Sequence, residues 1–174
     1  MGLKEEQFKV LKTLSETTSR MDLSMFAEKV SLTPNQTIHQ IQELAKEGFL
    51  QKVGGGYGMT HKGKAALKSF EIVPKEMTFL FYFGIDSPSE FTAESLEQFY
   101  RVIKQISVES VEFHLYRGDF TNWVKDALKE TELANEFERV AAEGLKGEDL
   151  RKELIKVLEA KYGLKGLPQV TDSV

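Results

Sequence analysis

The sequence predicts an α+β chain, mainly helical, with an N-terminal domain over residues 1–72 and a helix-rich second domain over residues 77–162. Three observations carry that expectation. Apolar residues recur at helical spacing through most of the chain, and a glycine-tipped pair of short β-prone segments interrupts the helices early. Pro74 then follows the fourth helix inside a polar connection, Glu71 to Glu76, that marks a domain boundary. Residues 163–174 contain Gly and Pro without periodicity, as expected of a flexible tail.

Phe8, Val10, Leu11 and Leu14 give the first amphipathic helix. Asp22 caps a second, in which Leu23, Phe26, Ala27 and Val30 form the inward stripe. For the third helix, Thr33 is a good N-cap, Pro34 occupies the first helical position where no N–H is needed, and Gln36 completes a Thr-x-x-Gln capping box. Ile38, Ile41, Leu44 and Ala45 are expected to point inward, and Gly48 to end the helix. That leaves Asn35, Gln36, His39, Gln40, Gln42, Glu43 and Lys46 facing outward. Phe49 to Val53 and Tyr57 to Met59 read as two strands around Gly54-Gly55-Gly56, after which Thr60 caps a helix carrying Ala65, Ala66, Leu67 and Phe70.

In the second domain, Thr78 to Ile85 reads as a buried strand or an extended hydrophobic strap, and Asp86 to Ser89 as a turn. A helix is expected from about Thr92 to Ile106, with Leu96, Phe99, Tyr100 and Ile103 inward. Ser107 to Leu128 is the densest aromatic segment and offers a second core; helices follow over Asp119 to Leu128, Glu132 to Ala142 and Glu148 to Tyr162. The last of these has Leu150, Leu154, Ile155 and Leu158 on one side. Its ordinary meaning is internal packing; its other meaning is homodimerisation, which would pair two reading helices across neighbouring half-sites.

Charge is divided unevenly. Residues 1–70 hold 10 Lys/Arg against 7 Asp/Glu, whereas the remainder hold 13 against 20, for a total of −4. The N-terminal domain is therefore the part suited to a polyanion, and the acidic whole argues against a protein that coats DNA by bulk charge. The chain has no cysteine, so disulfides and thiol chemistry are excluded. The longest apolar run, Met77 to Ile85, is about half of what a spanning helix requires, and the N-terminus lacks the pattern of a signal peptide. A cytoplasmic protein with no membrane partner is expected.

The segment GFLQKVGGGYGMTHKGKAAL, preceded by three helices, resembles the end of the recognition helix, the wing and the closing helix of winged-helix transcription regulators. The resemblance covers residues 1 to about 70. It implies that the outer face of the third helix enters the major groove of double-stranded DNA while the hairpin touches phosphate or the minor groove. Lys52, His61, Lys62, Lys64 and Lys68 then become the phosphate contacts. Asn35, Gln36, His39, Gln40 and Lys46 sit on the implied reading face, its amides suited to base edges and His39 to guanine or phosphate. Glu43 lies near the middle of that face and opposes phosphate. The plainer alternatives are a winged helix that contacts protein, and a glycine turn flanked by solvated lysines.

A second resemblance rests on EFHLYRGDFTNWVKDAL followed by ELANEFERV, which looks like a domain of unknown function in archaeal and bacterial proteins. Its pattern matches at His114, Asp119, Phe120, Trp123, Leu133 and Ala134, and departs at Gly118, where asparagine is common. The resemblance implies no activity. His114, Arg117 and Asp119 nevertheless form a candidate ligand or partner site, an imidazole and a carboxylate beside an anion clamp. The more economical reading makes Asp119 a helix cap, His114 a buried hydrogen-bonding group and Trp123 a core anchor. No nucleophile or second carboxylate is tied to the trio by spacing, so no catalytic residue is assigned and an enzyme is not expected.

GMTHKGKA approaches a phosphate-binding loop, but Ala65 replaces the hydroxyl that coordinates magnesium and no buried strand precedes it. The three histidines have no ligand spacing. Neither metal nor cofactor is expected. The functional expectation is a DNA-binding transcription regulator whose second domain senses a signal, binds a partner or dimerises; the alternative is a protein–protein interaction module using the winged helix as scaffold.

Overall fold

The computed structural model describes residues 3–17 and 21–164. The chain divides into two compact units: unit 1 holds the residues up to Lys68 with the last described ones from Lys161, and unit 2 runs from Ser69 to Ala160. Each unit has its own core.

Unit 1 contains α1 (Glu5–Glu16), α2 (Leu23–Lys29), α3 (Pro34–Lys46), β1 (Leu50–Val53), β2 (Gly56–Met59) and α4 (His61–Lys68). Local chemistry sets its boundaries. The Asp22 carboxylate accepts the Met25 N–H at 2.9 Å, which starts α2. At α3 both arms of the capping box are made: Thr33 Oγ1 accepts the Gln36 N–H at 3.2 Å and Gln36 Oε1 accepts the Thr33 N–H at 3.0 Å. The strands pair antiparallel from Leu50 opposite Met59 to Val53 opposite Gly56, so the loop is Gly54-Gly55 and Gly56 already belongs to β2. Gly54 has φ +59°, as the first loop position of a type II′ hairpin requires. Gly63 is fixed by space instead, since a Cβ there would collide with the Phe49 carbonyl oxygen.

The core of unit 1 includes Val10, Leu11, Phe26, Leu44, Phe49 and Ala66. One helix is turned from its expected phase. Thr37 of α3 is fully buried while Ile38 is 39 % exposed. The Thr37 hydroxyl donates to the Thr33 carbonyl at 2.9 Å, so it enters the core with its polar group satisfied. Leu23, expected inward, is also exposed. At the far end Leu164 is fully buried and the Gly163 carbonyl accepts the Leu3 N–H at 3.2 Å, so the first two residues of the expected tail are packed. Residues 165–174 of that tail lie outside the described residues.

Unit 2 opens with a 3-10 turn, Lys75–Met77, followed by β3 (Phe79–Gly84), β4 (Ser87–Ala93), α5 (Leu96–Gln105), α6 (Val108–Arg117), α7 (Asp119–Asp126), α8 (Thr131–Ala142) and α9 (Gly147–Tyr162), whose residues to Ala160 fall in this unit. Three elements differ from expectation. Ser87 to Ala93 is a strand paired with β3, where a turn and a helix start were expected, and α5 begins only after the Ser95 cap. Pro88 is tolerated because its partner Tyr82 turns both backbone groups toward α6, so no ladder bond is lost. Val108 to Arg117, read only as an apolar segment, is a full helix between the Ser107 cap and Gly118.

Aromatic rings fill the second core. Phe79 meets Phe81 at 4.7 Å between centroids, Phe99 meets Phe120 at 4.8 Å, and Trp123 stacks on Phe99 at 5.5 Å. The Trp123 indole N–H donates to the Met77 carbonyl at 2.6 Å, as befits a core anchor. Leu150, Leu154 and Leu158 of α9 are fully buried, so the stripe with a second meaning as a dimer face is used inside the chain. Among the described residues no helix is long and apolar enough to cross a membrane.

Candidate functional site

Two surfaces hold the residues singled out by sequence, one in each unit. On α3, Asn35, His39, Gln42 and Lys46 are exposed, and Lys52, His61 and Lys64 are exposed on β1 and α4. The other candidates have prior engagements. Gln36 commits its amide oxygen to the capping box. Gln40 is half-buried and its Nε2 donates to Glu6 of α1 at 3.2 Å, which brings a carboxylate beside the expected reading face. Lys62 donates to the Glu47 carbonyl at 2.9 Å and lies 4.5 Å from the Phe49 ring centre. Ile38, expected inward, emerges between the polar residues instead.

In unit 2 the structure brings His114, Arg117 and Asp119 together. α6 and α7 meet at one residue, Gly118, whose φ of +82° closes α6 and opens α7. Glycine takes that left-handed conformation without strain, and asparagine is the residue next best suited to it. The sharp corner places the last turn of α6 against the first residue of α7. His114 Nδ1 consequently lies 2.9 Å from Asp119 Oδ2 although five positions separate them. Asp119 makes no cap bond; Gly118 takes the N-cap position and the carboxylate turns back to the imidazole. A charged acceptor facing a buried N–H forms the stronger bond.

The other ring nitrogen, Nε2, accepts the Tyr82 N–H at 2.8 Å, and the Ser110 hydroxyl donates to the Tyr82 carbonyl at 2.6 Å. Two α6 side chains thus satisfy both backbone groups of Tyr82 on the edge of β3. Because a backbone N–H can only donate, the ring proton sits on Nδ1 and points at Asp119. Burial pushes the His114 pKa down, with the Asp119 carboxylate opposing that shift and the Arg117 charge adding to it. The imidazole is neutral and engaged on both sides. It is built to hold position.

These residues border a cavity of about 700 Å³. One wall is the Leu80, Tyr82 and Gly84 side of β3 with the Ile85-Asp86 loop; the other is Phe113, Arg117, Asn122 and Trp123 from α6 and α7. Leu80 and Ile85 are 53 % and 76 % exposed. The Arg117 guanidinium lies 4.7 Å from the Phe113 ring centre and 3.5 Å from Asp119 Oδ2. Sequence reasoning missed Leu80, Tyr82, Asp86 and Asn122. The two-residue alternation of FLFYFG was the available signal, since it puts Leu80 and Tyr82 opposite the buried Phe79 and Phe81. Among the described residues no three His, Asp or Glu side chains converge as a metal site needs.

Residues 115–172 match the model of a family of unknown function, DUF5752. The match takes in Asp119, Phe120, Trp123, Leu133 and Ala134 and begins one residue after His114. No winged-helix or helix-turn-helix family matches the N-terminal residues. No curated protein and no solved structure matches the chain.

Proposed function

We propose that unit 1 is a winged-helix module that binds duplex DNA, and that unit 2 is the sensing part of a transcription regulator. One observation carries the reading: α3 leads directly into the β1–β2 hairpin, and Asn35, His39, Gln42, Lys46 and Lys52 along that succession are exposed. Amides and a histidine suit base edges, lysines suit phosphates, and this half of the chain carries the excess of basic residues. The cavity beside His114 supports the sensing role. Pairing of two copies would need a face other than the α9 stripe.

The test is binding to random duplex DNA over a salt series, followed by anisotropy. Affinity should fall steeply as salt rises, with replacement of Lys52 and Lys64 by alanine weakening all sequences alike. Gln42→Ala should change preference between sequences instead. A full chain that binds no duplex at low salt overturns the proposal.

A second reading has its own observation. Ile38 is exposed on α3, and Met25, Val53 and Tyr57 are exposed elsewhere in unit 1. Apolar groups of this kind suit a protein partner better than a phosphate backbone. Ile38→Glu discriminates: it should abolish protein association under the second reading, and act on DNA chiefly through its added charge under the first.

A further inference from the structure

The cavity of unit 2 is of the size that encloses a small organic molecule. Its charged groups are unequal: two carboxylates, Asp86 and Asp119, and one guanidinium, Arg117, line it, while His114 contributes no charge. The wall already accommodates a cation, because Arg117 rests over Phe113 and beside Asp119. Arg117 is 52 % exposed, so its head can leave for solvent at little cost. Asp119 is held in place by the His114 bond through Oδ2, which leaves Oδ1 available to a second donor. Tyr82, Phe113 and Trp123 supply ring surface, and Leu80 and Ile85 supply exposed aliphatic surface that a bound molecule would cover.

We infer that this cavity binds an amphipathic organic cation, an apolar or aromatic body with a single amine or guanidinium head, which Asp119 and Asp86 receive in place of Arg117. The body lies against Leu80, Tyr82 and Trp123. This names the ligand class for the sensing role proposed above and rests on that reading only for its regulatory meaning; binding itself is measured without DNA, so the two fail separately.

The chain has a single tryptophan, Trp123, and it borders the cavity, so its emission reports occupancy. The full chain is titrated with phenylbutylamine, with phenylbutyrate and phenylbutanol as matched anion and neutral probes. The amine should change the emission saturably, at a midpoint about tenfold or more below those of the other two. Asp119→Asn should raise the amine midpoint by about tenfold, and Arg117→Ala should lower it by removing the resident cation. Asp86→Asn, on an exposed loop where folding is insensitive to it, should raise the midpoint severalfold and keeps the test open if the Asp119 variant fails to fold. Preference for phenylbutyrate, equal binding of all three probes, absence of any saturable change, or an unchanged midpoint in both aspartate variants overturns the inference.

Discussion

Unit 1 turns most of its polar chemistry to solvent and buries Gln7 and Thr37 against their own helices, whereas unit 2 encloses polar groups that join separate elements. In unit 1 the core is largely aliphatic, and the amides and lysines of α3 and the hairpin stand in solvent. In unit 2 rings pack around a histidine whose two nitrogens are both hydrogen-bonded, one to a strand and one to a carboxylate. An exposed polar side chain costs little to keep and is free to meet a partner, whereas a buried one persists only if its neighbours satisfy it. The difference separates a surface that presents groups from a pocket that positions them.

The largest effects should come from the two places where that order is most constrained. His114→Ala leaves the Tyr82 N–H and the Asp119 carboxylate without their partner and opens a void, at a cost of about 3 kcal/mol, read from the denaturant midpoint of Trp123 emission. Gly63→Ala forces a Cβ against the Phe49 carbonyl and should cost about as much, read as lost exchange protection in α3 and α4. A tolerated His114→Ala would remove the basis for treating unit 2 as a positioning pocket.

A smaller effect concerns pH. The His114 pKa is lowered from its ordinary 6.5, so the unfolded chain takes up the proton first as pH falls. The stability this neutral histidine confers is complete above 6.5 and is lost below it, as pH drops toward the folded value. The Trp123 midpoint should therefore decrease as pH falls below 6.5, and part of that slope should vanish in His114→Gln. Thr33→Ala should cost about 1 kcal/mol, the usual worth of a capping residue. Gln40→Ala, which removes only an exposed bond to Glu6, should change stability by less than about 0.5 kcal/mol.

What was legible in the sequence was what neighbours decide. The Asp22 cap, the Thr33–Gln36 box and the glycine hairpin depend on residues three or four apart, and each formed as its local chemistry requires. The strand β4 was hidden because Pro88 and its serines carry turn chemistry, and its pairing with β3 leaves Pro88 without a ladder bond to make. The phase of α3 was misread for a related reason: Thr37 looks polar until its hydroxyl is seen bonded to its own helix. The grouping of His114, Arg117 and Asp119 was visible from spacing, but the Tyr82 partner of His114 lies 32 residues away and no local pattern announces it. The cavity itself arises from elements distant in sequence.

The exposed succession from α3 to the hairpin is the surface proposed to meet duplex DNA. A backbone amide shift map of the full chain, titrated with a short duplex at low salt, tests it most directly. Saturable shifts should concentrate at Asn35, His39, Gln42, Lys46 and Lys52, with the amides around His114 unmoved. Shifts absent from those five positions, or centred on the cavity of unit 2, would contradict it.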